Sequence, residues 1–138
     1  MRIKLGIAVA TLAFSCGAAA AGMSKEDYQA AKQRIAKEYE QERQKCGPRH
    51  GNDLQLCVAR AHGTRDVAKA ELEAAYKPSA RTNYDAAAAR AQNAYAVAKQ
   101  ECDNQRDSNT RKVCVKEAKA ALARARSEAA AARKAAGG

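Results

Sequence analysis

The chain carries an internal duplication, and this feature constrains its fold more than any other. Two tyrosines, two cysteines and the valine after the second cysteine occur in both copies, as Tyr28, Tyr39, Cys46 and Cys57-Val58 and as Tyr84, Tyr95, Cys102 and Cys114-Val115. The first three pairs are offset by 56 residues and the last two by 57, so the second copy has one extra residue between its cysteines. A repeat of this length is typical of one supersecondary unit that packs against its neighbour.

Apolar residues recur at helical spacings in both copies, and no stretch alternates in the manner of a β-strand. Each copy therefore predicts two helices whose apolar stripes face one another. The stripes of the first copy are Tyr28, Ala31, Ile35, Tyr39 and Cys46, then Leu54, Val58, Ala61, Arg65, Ala68, Leu72 and Ala75. The stripes of the second copy are Tyr84, Ala88, Ala91, Tyr95, Ala98 and Cys102, then Val115, Ala118, Leu122, Ala125, Ala129 and Ala132.

Capping residues and helix breakers predict where the helices begin and end. Ser24, with Asp27 three residues later, resembles a capping box and starts the first helix. Gly47-Pro48 ends this helix because proline cannot continue the hydrogen-bond ladder, and Pro78-Ser79 divides the copies. The candidate caps of the second and fourth helices are Asn52 or Asp53 and Ser108, Asn109 or Thr110. Gly63 weakens the second helix by about 1 kcal/mol relative to alanine and marks a candidate bend.

Four cysteines follow residue 21, and they can pair in three ways. The pairs Cys46–Cys57 and Cys102–Cys114 are favoured, because each brackets a polar, turn-rich segment between two predicted helices. Such pairs persist as disulfides in an oxidising compartment. By the chain-entropy model, closing a loop of about a dozen residues contributes roughly 3 kcal/mol of stability. Since alanine supplies most of the apolar residues, two such links would be a large share of the stability.

The first copy also contains a set of two cysteines and two histidines, namely Cys46, His50, Cys57 and His62. Zinc and copper accept these ligands. However, the spacing matches no common zinc finger, and the second copy has no histidine. Disulfide formation would also compete for the thiols. Metal binding therefore stays an alternative, and no cofactor is predicted.

The N-terminus has the three parts of a secretory signal. Two basic residues precede an apolar run from Leu5 to Ser15, and residues 18–21 are four alanines suited to cleavage. Cleavage after Ala21 predicts a signal peptide over residues 1–21 and a periplasmic or secreted chain without a transmembrane segment. A membrane anchor fits less well, because the apolar run is shorter than the roughly 20 residues of a spanning helix. Lipidation of Cys16 is a further alternative.

The chain is strongly basic, with a net charge of +10 that falls to +8 when residues 1–21 are removed. The basic surface predicted near the C-terminus comprises Arg111, Lys112, Lys116, Lys119, Arg124, Arg126, Arg133 and Lys134. In a cell envelope, such charge favours attraction to lipid head groups or wall polymers, although it can also serve solubility alone. No nucleic-acid partner is expected in vivo, because export separates the chain from the nucleoid.

No catalytic motif is recognisable in the sequence. A glycine-rich phosphate loop, a nucleophile elbow and a His-Glu-x-x-His motif are all missing. Acidic and basic residues are interleaved over most of the chain, which is typical of solvated helix faces. An enzyme is therefore not expected.

The run from Lys69 to Ser79 and the Cys-Val-Lys-Glu-Ala-Lys-Ala segment of residues 114–120 resemble small exported bacterial proteins of unknown role. Some of these are labelled TolA-like because of their alanine-, lysine- and glutamate-rich helices. The resemblance covers most of the chain after residue 21 and rests on repeat spacing and composition. It assigns no functional residue.

The sequence thus predicts an all-α fold of two tandem, disulfide-stapled antiparallel helical hairpins, over residues 22–77 and 78–138. Its four helices would form a bundle or a coiled-coil-like arrangement. The expected function is a non-enzymatic periplasmic module for envelope interaction or stress. The alternatives are a periplasmic metal-binding protein and a charge-driven binder of anionic envelope surfaces. The partner would be another protein or such a surface, and a homo-oligomer is possible.

Overall fold

The computed structural model describes residues 22–137, so the predicted signal peptide at residues 1–21 lies outside the described residues. The fold is all-α, as predicted, and its four helices are α1 (Lys25–Gln44), α2 (Gly51–Tyr76), α3 (Ala80–Asp103) and α4 (Ser108–Ala136). The N-termini of α1 and α3 are each capped by a serine side chain, as their local sequences favour. The Ser24 hydroxyl accepts a hydrogen bond from the Asp27 backbone N–H at 3.0 Å, and Ser79 forms a capping box with Thr82.

The start of α2 differs from the prediction. The N-cap is His50, which makes no capping hydrogen bond through its side chain, rather than Asn52 or Asp53. Gly51 has a φ of 57°, a left-handed conformation that glycine adopts without steric cost. Asn52 instead reaches across to α3, where its side-chain nitrogen donates to the Gln100 carbonyl oxygen at 2.7 Å. Its amide therefore ties two helices together rather than ending one.

The start of α4 also differs, because Asp107 is the N-cap rather than Ser108, Asn109 or Thr110. Its carboxylate accepts hydrogen bonds from the backbone N–H and the hydroxyl of Thr110, at 2.7 and 2.8 Å. These bonds favour the ionised form and hold the pKa of Asp107 below its usual value, although partial desolvation opposes them. The three predicted caps thus lie one to three residues after the observed one.

The helices form a row in which each one packs against the next along the chain. Contacts join α1 with α2, α2 with α3 and α3 with α4, and no other pair of helices within residues 22–137 is in contact. Neighbours are antiparallel, since the beginning of α1 contacts the end of α2 and the beginning of α3 contacts the end of α4. The two hairpins are thus joined along α2 and α3, while α1 and α4 form the two edges.

The predicted stripes lie at the contacts within each hairpin. Most of their members are buried or half-buried, and the exceptions are Ala75 and Ala132, which are exposed. Ala31, Ile35 and Leu72 form a small buried cluster between α1 and α2. The core is therefore as thin as the composition indicates.

A second stripe on each central helix was missed by the sequence analysis. On α2 it comprises Asn52, Leu56, Ala59, Gly63, Val67, Ala70 and Ala74, and on α3 Ala86, Ala89, Asn93, Ala96, Val97 and Gln100. At 3.6 residues per turn, these stripes lie nearly opposite the predicted ones. A central helix therefore contacts its two neighbours through opposite sides, which makes the row open rather than closed.

Gly63 lies where α2 packs closely against α3. The helix runs through this position without interruption. A Cβ atom on Gly63 would lie 1.8 Å from the side-chain oxygen of Asn93. Only glycine fits here, because the Asn93 side chain occupies the space that a Cβ atom would need. None of the four helices combines the length and apolar character needed to cross a membrane.

Candidate functional site

Both predicted disulfides are present in the structure. Cys46 and Cys57 are bonded across the α1–α2 turn, and Cys102 and Cys114 across the α3–α4 turn, each with Cα atoms 5.6 Å apart. The first cysteine of each pair is almost completely buried, with an exposed fraction of 1%. The second lies on the next helix and is half-buried. Each bond thus closes the polar end of a hairpin.

The predicted alternative of a metal site is not assembled. Cys46 and Cys57 are bonded to each other, whereas a metal binds the free thiolate. His50 occupies the N-cap position of α2, and the His62 ring contacts Tyr39. Across residues 22–137, no three His, Cys, Asp or Glu side chains are grouped so that they could hold a metal ion. The two cysteines therefore act in this structure as a staple.

Aromatic contacts distinguish the first hairpin. The rings of Tyr28 and Tyr76 stack with their centroids 4.2 Å apart, and the Tyr28 hydroxyl donates a hydrogen bond to Glu73. This bond, with smaller contributions from desolvation and the negative charge of Glu73, raises the pKa of Tyr28. Near the middle of the helices, the Arg65 guanidinium lies 4.5 Å from the centroid of the Tyr39 ring. These contacts are structural, because they join α1 to α2.

Charges on the first three helices are balanced, and many of them are paired. α1 carries five basic and five acidic residues, α2 three and four, and α3 three and three. Ion pairs within these helices include Arg34–Glu38 and Arg81–Asp85, and pairs between helices include Arg60–Glu101 and Arg90–Glu71. Such exposed pairs contribute little stability each, but they leave little net charge on this part of the molecule.

The fourth helix is different, because it carries eight basic and only two acidic residues. All eight residues of the predicted basic surface are exposed. The Arg126 guanidinium donates to the Gln92 side chain at 2.7 Å, and Arg133 lies over the Tyr84 ring. Within the described part of the chain, none of the eight forms an ion pair. This helix therefore carries a net charge of +6, out of the +8 that remains when residues 1–21 are removed.

The charges of α4 are also segregated around the helix axis. Five of its basic residues share one flank by helical spacing, namely Lys112, Lys116, Lys119, Arg126 and Lys134. The two acidic residues, Glu117 and Glu128, lie on the other flank together with Arg124. Two of the grooves beside the α3–α4 contact reflect this division. One is lined by Arg111 and the first three lysines of the basic flank, and the other by Glu101, Glu117 and Arg124.

These basic residues were predicted from the sequence as a dense stretch of the chain, but their segregation around the axis of α4 was not predicted. The spacings of four, three, seven and eight residues from Lys112 to Lys134 were the available signal. The pairing of the other helices' charges required the structure, since Arg60–Glu101 and Arg90–Glu71 join residues distant in sequence.

Comparison with known proteins finds no matching family model, no similar curated protein and no similar solved structure. The resemblance to TolA-like exported proteins therefore stays a prediction.

Proposed function

We propose that this protein is a non-enzymatic, periplasmic interaction module that binds anionic surfaces of the cell envelope through α4. The observation that carries the proposal is the charge of this helix. Its eight basic residues are exposed, free of ion pairs within residues 22–137, and opposed by only two acidic residues. Lysine and arginine near an anionic membrane surface each contribute about 1 kcal/mol of binding free energy.

The difference in net charge between α4 and the other helices supports a role in binding rather than in solubility alone. A protein that needed only solubility could spread its excess charge over the whole surface, yet α1, α2 and α3 are close to neutral. Like charges three and four residues apart on a helix also weaken it by a few tenths of a kcal/mol per pair. The basic flank of α4 contains such pairs at Lys112–Lys116 and Lys116–Lys119. A binding partner would offset this cost.

The rest of the fold supports α4 as a platform. The Cys102–Cys114 bond anchors its first two turns to α3, and the alanine stripe holds the remainder against α3. A disulfide that closes a loop of this length contributes roughly 3 kcal/mol. The periplasm is oxidising enough to keep both bonds formed, in agreement with the predicted export signal.

The proposal includes a non-enzymatic role, and the exposure of the polar side chains supports it. Within residues 22–137, no polar or charged residue is buried. Catalytic acids, bases and nucleophiles are usually found in clefts where burial and neighbouring charges shift their pKa values. The sequence also lacks the common catalytic motifs.

Binding to lipid vesicles tests the proposal. The processed protein should be used, beginning at Gly22, because the apolar run of residues 5–15 would itself enter a membrane. We expect co-sedimentation with vesicles that contain phosphatidylglycerol, no co-sedimentation with pure phosphatidylcholine, and loss of binding as salt shortens the Debye length below about 8 Å. Equal binding to both vesicles, binding that ignores ionic strength, or no binding to the anionic vesicles would refute it.

A further inference from the structure

A groove at the stapled end of the second hairpin concentrates the positive charge of α4. It has a volume of about 420 Å³ and lies between the end of α3 and the first half of α4. Its lining residues are Asp103, Arg111, Lys112, Val115, Lys116 and Lys119. Four cations thus border one concave surface within a stretch of about 12 Å along the helix. We call it the basic groove.

The only acidic residue of the basic groove is already partly neutralised. The Asp103 carboxylate lies 3.8 Å from the side-chain nitrogen of Lys99 on the same helix. The four cations of the groove form no ion pair within the described residues. The groove therefore has a strongly positive potential and is open to an anion from solution.

The hairpin fold does not require these four charges. At the offset of 57 residues that relates α2 to α4, the corresponding positions of the first hairpin are Leu54, Gln55, Ala59 and His62. None of them is a lysine or an arginine, yet the first hairpin has the same helices and the same kind of disulfide. The charges are therefore specific to one copy, and they lie where they repel one another and weaken the helix.

We propose that the basic groove binds the phosphate groups of anionic lipid head groups and is the point at which the protein contacts the membrane. The inference rests on the proposed function and names its ligand and location. Val113 favours a lipid surface over free phosphate, because it is 54% exposed and directly follows Lys112 in α4. Among the described residues it is the one large apolar side chain that is exposed. An exposed apolar side chain can enter the boundary between head groups and acyl chains while neighbouring lysines stay at the head groups.

Two variants of the processed, oxidised protein distinguish the effect of the groove lysines on binding from the effect of net charge. The groove variant carries Lys112→Gln, Lys116→Gln and Lys119→Gln. The matched control carries Lys25→Gln, Lys37→Gln and Lys69→Gln, which remove the same charge from exposed positions on α1 and α2. All six side chains are exposed, so both variants should fold, and far-ultraviolet circular dichroism checks that their helix content is equal.

The measurement is the dissociation constant for vesicles of phosphatidylcholine and phosphatidylglycerol at physiological salt. Each lysine at the surface contributes about fivefold to binding, so the groove variant should bind on the order of one hundredfold more weakly. The control should change less than about fivefold, since its lysines lie on other helices. Equal losses in the two variants would overturn the groove as the site while leaving charge-driven binding intact. Failure of the unmodified protein to bind would overturn both.

A second measurement needs no substitution. Acetylation of lysines by a water-soluble reagent, followed by mass spectrometry, reports which side chains the vesicles cover. We expect protection at Lys112, Lys116 and Lys119 and little at Lys37. Uniform protection, or protection only outside the groove, would contradict the proposal.

Inorganic phosphate distinguishes the two sources of the ligand. If the groove serves a lipid surface, millimolar phosphate should not displace the protein from vesicles beyond the effect of its ionic strength. A matched concentration of sodium chloride provides that reference. Specific displacement by phosphate would show that the groove binds the free anion and would overturn the assignment to lipid.

Discussion

The two hairpins are copies of one unit, yet they are held together and charged differently. Each has a disulfide over a loop of similar length, with its cysteines 11 and 12 residues apart. In the first hairpin, Tyr28 stacks on Tyr76; in the second, the corresponding Tyr84 meets Arg133 instead. The shared staple makes such divergence tolerable, because part of the stability no longer depends on which side chains line the interface.

The two hairpins also differ in how many of their charged residues contact one another. The aromatic and ionic contacts of the first hairpin use its polar residues internally, as in Tyr28–Glu73 and Arg34–Glu38. The α3–α4 contact is made mainly by alanines, which need no polar partner, so the basic residues of α4 remain exposed. We infer that the first hairpin serves mainly as support and the second as the binding surface.

The largest expected effect is the loss of a disulfide. Replacing Cys46 and Cys57 by alanine, or Cys102 and Cys114 by alanine, should each reduce the free energy of unfolding by about 3 kcal/mol, because the two loops are nearly equal in length. Urea unfolding followed by circular dichroism measures both losses. If one pair cost several times more than the other, native packing rather than chain entropy would dominate the contribution of the staples.

The next effect concerns the buried cluster of the first hairpin. Leu72 is 8% exposed and packs with Ala31 and Ile35, so Leu72→Ala should cost about 2–3 kcal/mol of unfolding free energy. Leu122 in the second hairpin is only half-buried, and Leu122→Ala should cost about 1 kcal/mol. Thermal and urea unfolding compare the two. Equal losses would show that the hairpins have equivalent cores.

A smaller effect is expected where the two hairpins meet. Gly63→Ala improves helix propensity by about 1 kcal/mol but forces its Cβ into Asn93, at a cost of about 1–3 kcal/mol. We expect a net loss of roughly 1 kcal/mol, measured by urea unfolding. Combining Gly63→Ala with Asn93→Ala should restore most of it, because the clashing amide is removed.

The second copy provides an internal control for this position. Ala120 corresponds to Gly63 at the offset of 57 and is exposed on α4. Ala120→Gly should therefore cost only the helix propensity, about 1 kcal/mol. A Gly63→Ala variant that was simply more stable would mean that the α2–α3 approach is looser than described.

The smallest effect is a titration in the first hairpin. The hydrogen bond to Glu73 raises the pKa of Tyr28 above its usual value near 10, so one tyrosine should ionise later than expected in an absorbance titration. Because the folded-state pKa is raised, the stabilisation is present below the usual tyrosine pKa and is lost as the pH rises through the higher value. Tyr28→Phe should remove the late component, and Glu73→Gln should shift it to lower pH. A late component unchanged in Tyr28→Phe would assign it to another tyrosine.

Much of the fold was predictable because its signals are local. The cysteines bracket polar turns, Ser24 precedes Asp27 at capping distance, and apolar residues recur at helical spacing. The caps at His50 and Asp107 were missed for a physical reason. Asn52 is bound to α3 and is unavailable as a cap, and Asp107 competes with three suitable neighbours.

The sequence by itself determined the duplicated unit, the four helices, the favoured pairing of the cysteines and the excess of positive charge near the C-terminus. Only the tertiary structure decided that α2 and α3 pack together, that the row stays open and that α4 is an edge. Alanine explains this division, because it is both a strong helix former on an exposed face and a small residue at a close contact. A stripe of alanines therefore does not indicate which side of a helix is buried. The packing of the neighbouring helix determines which side that is.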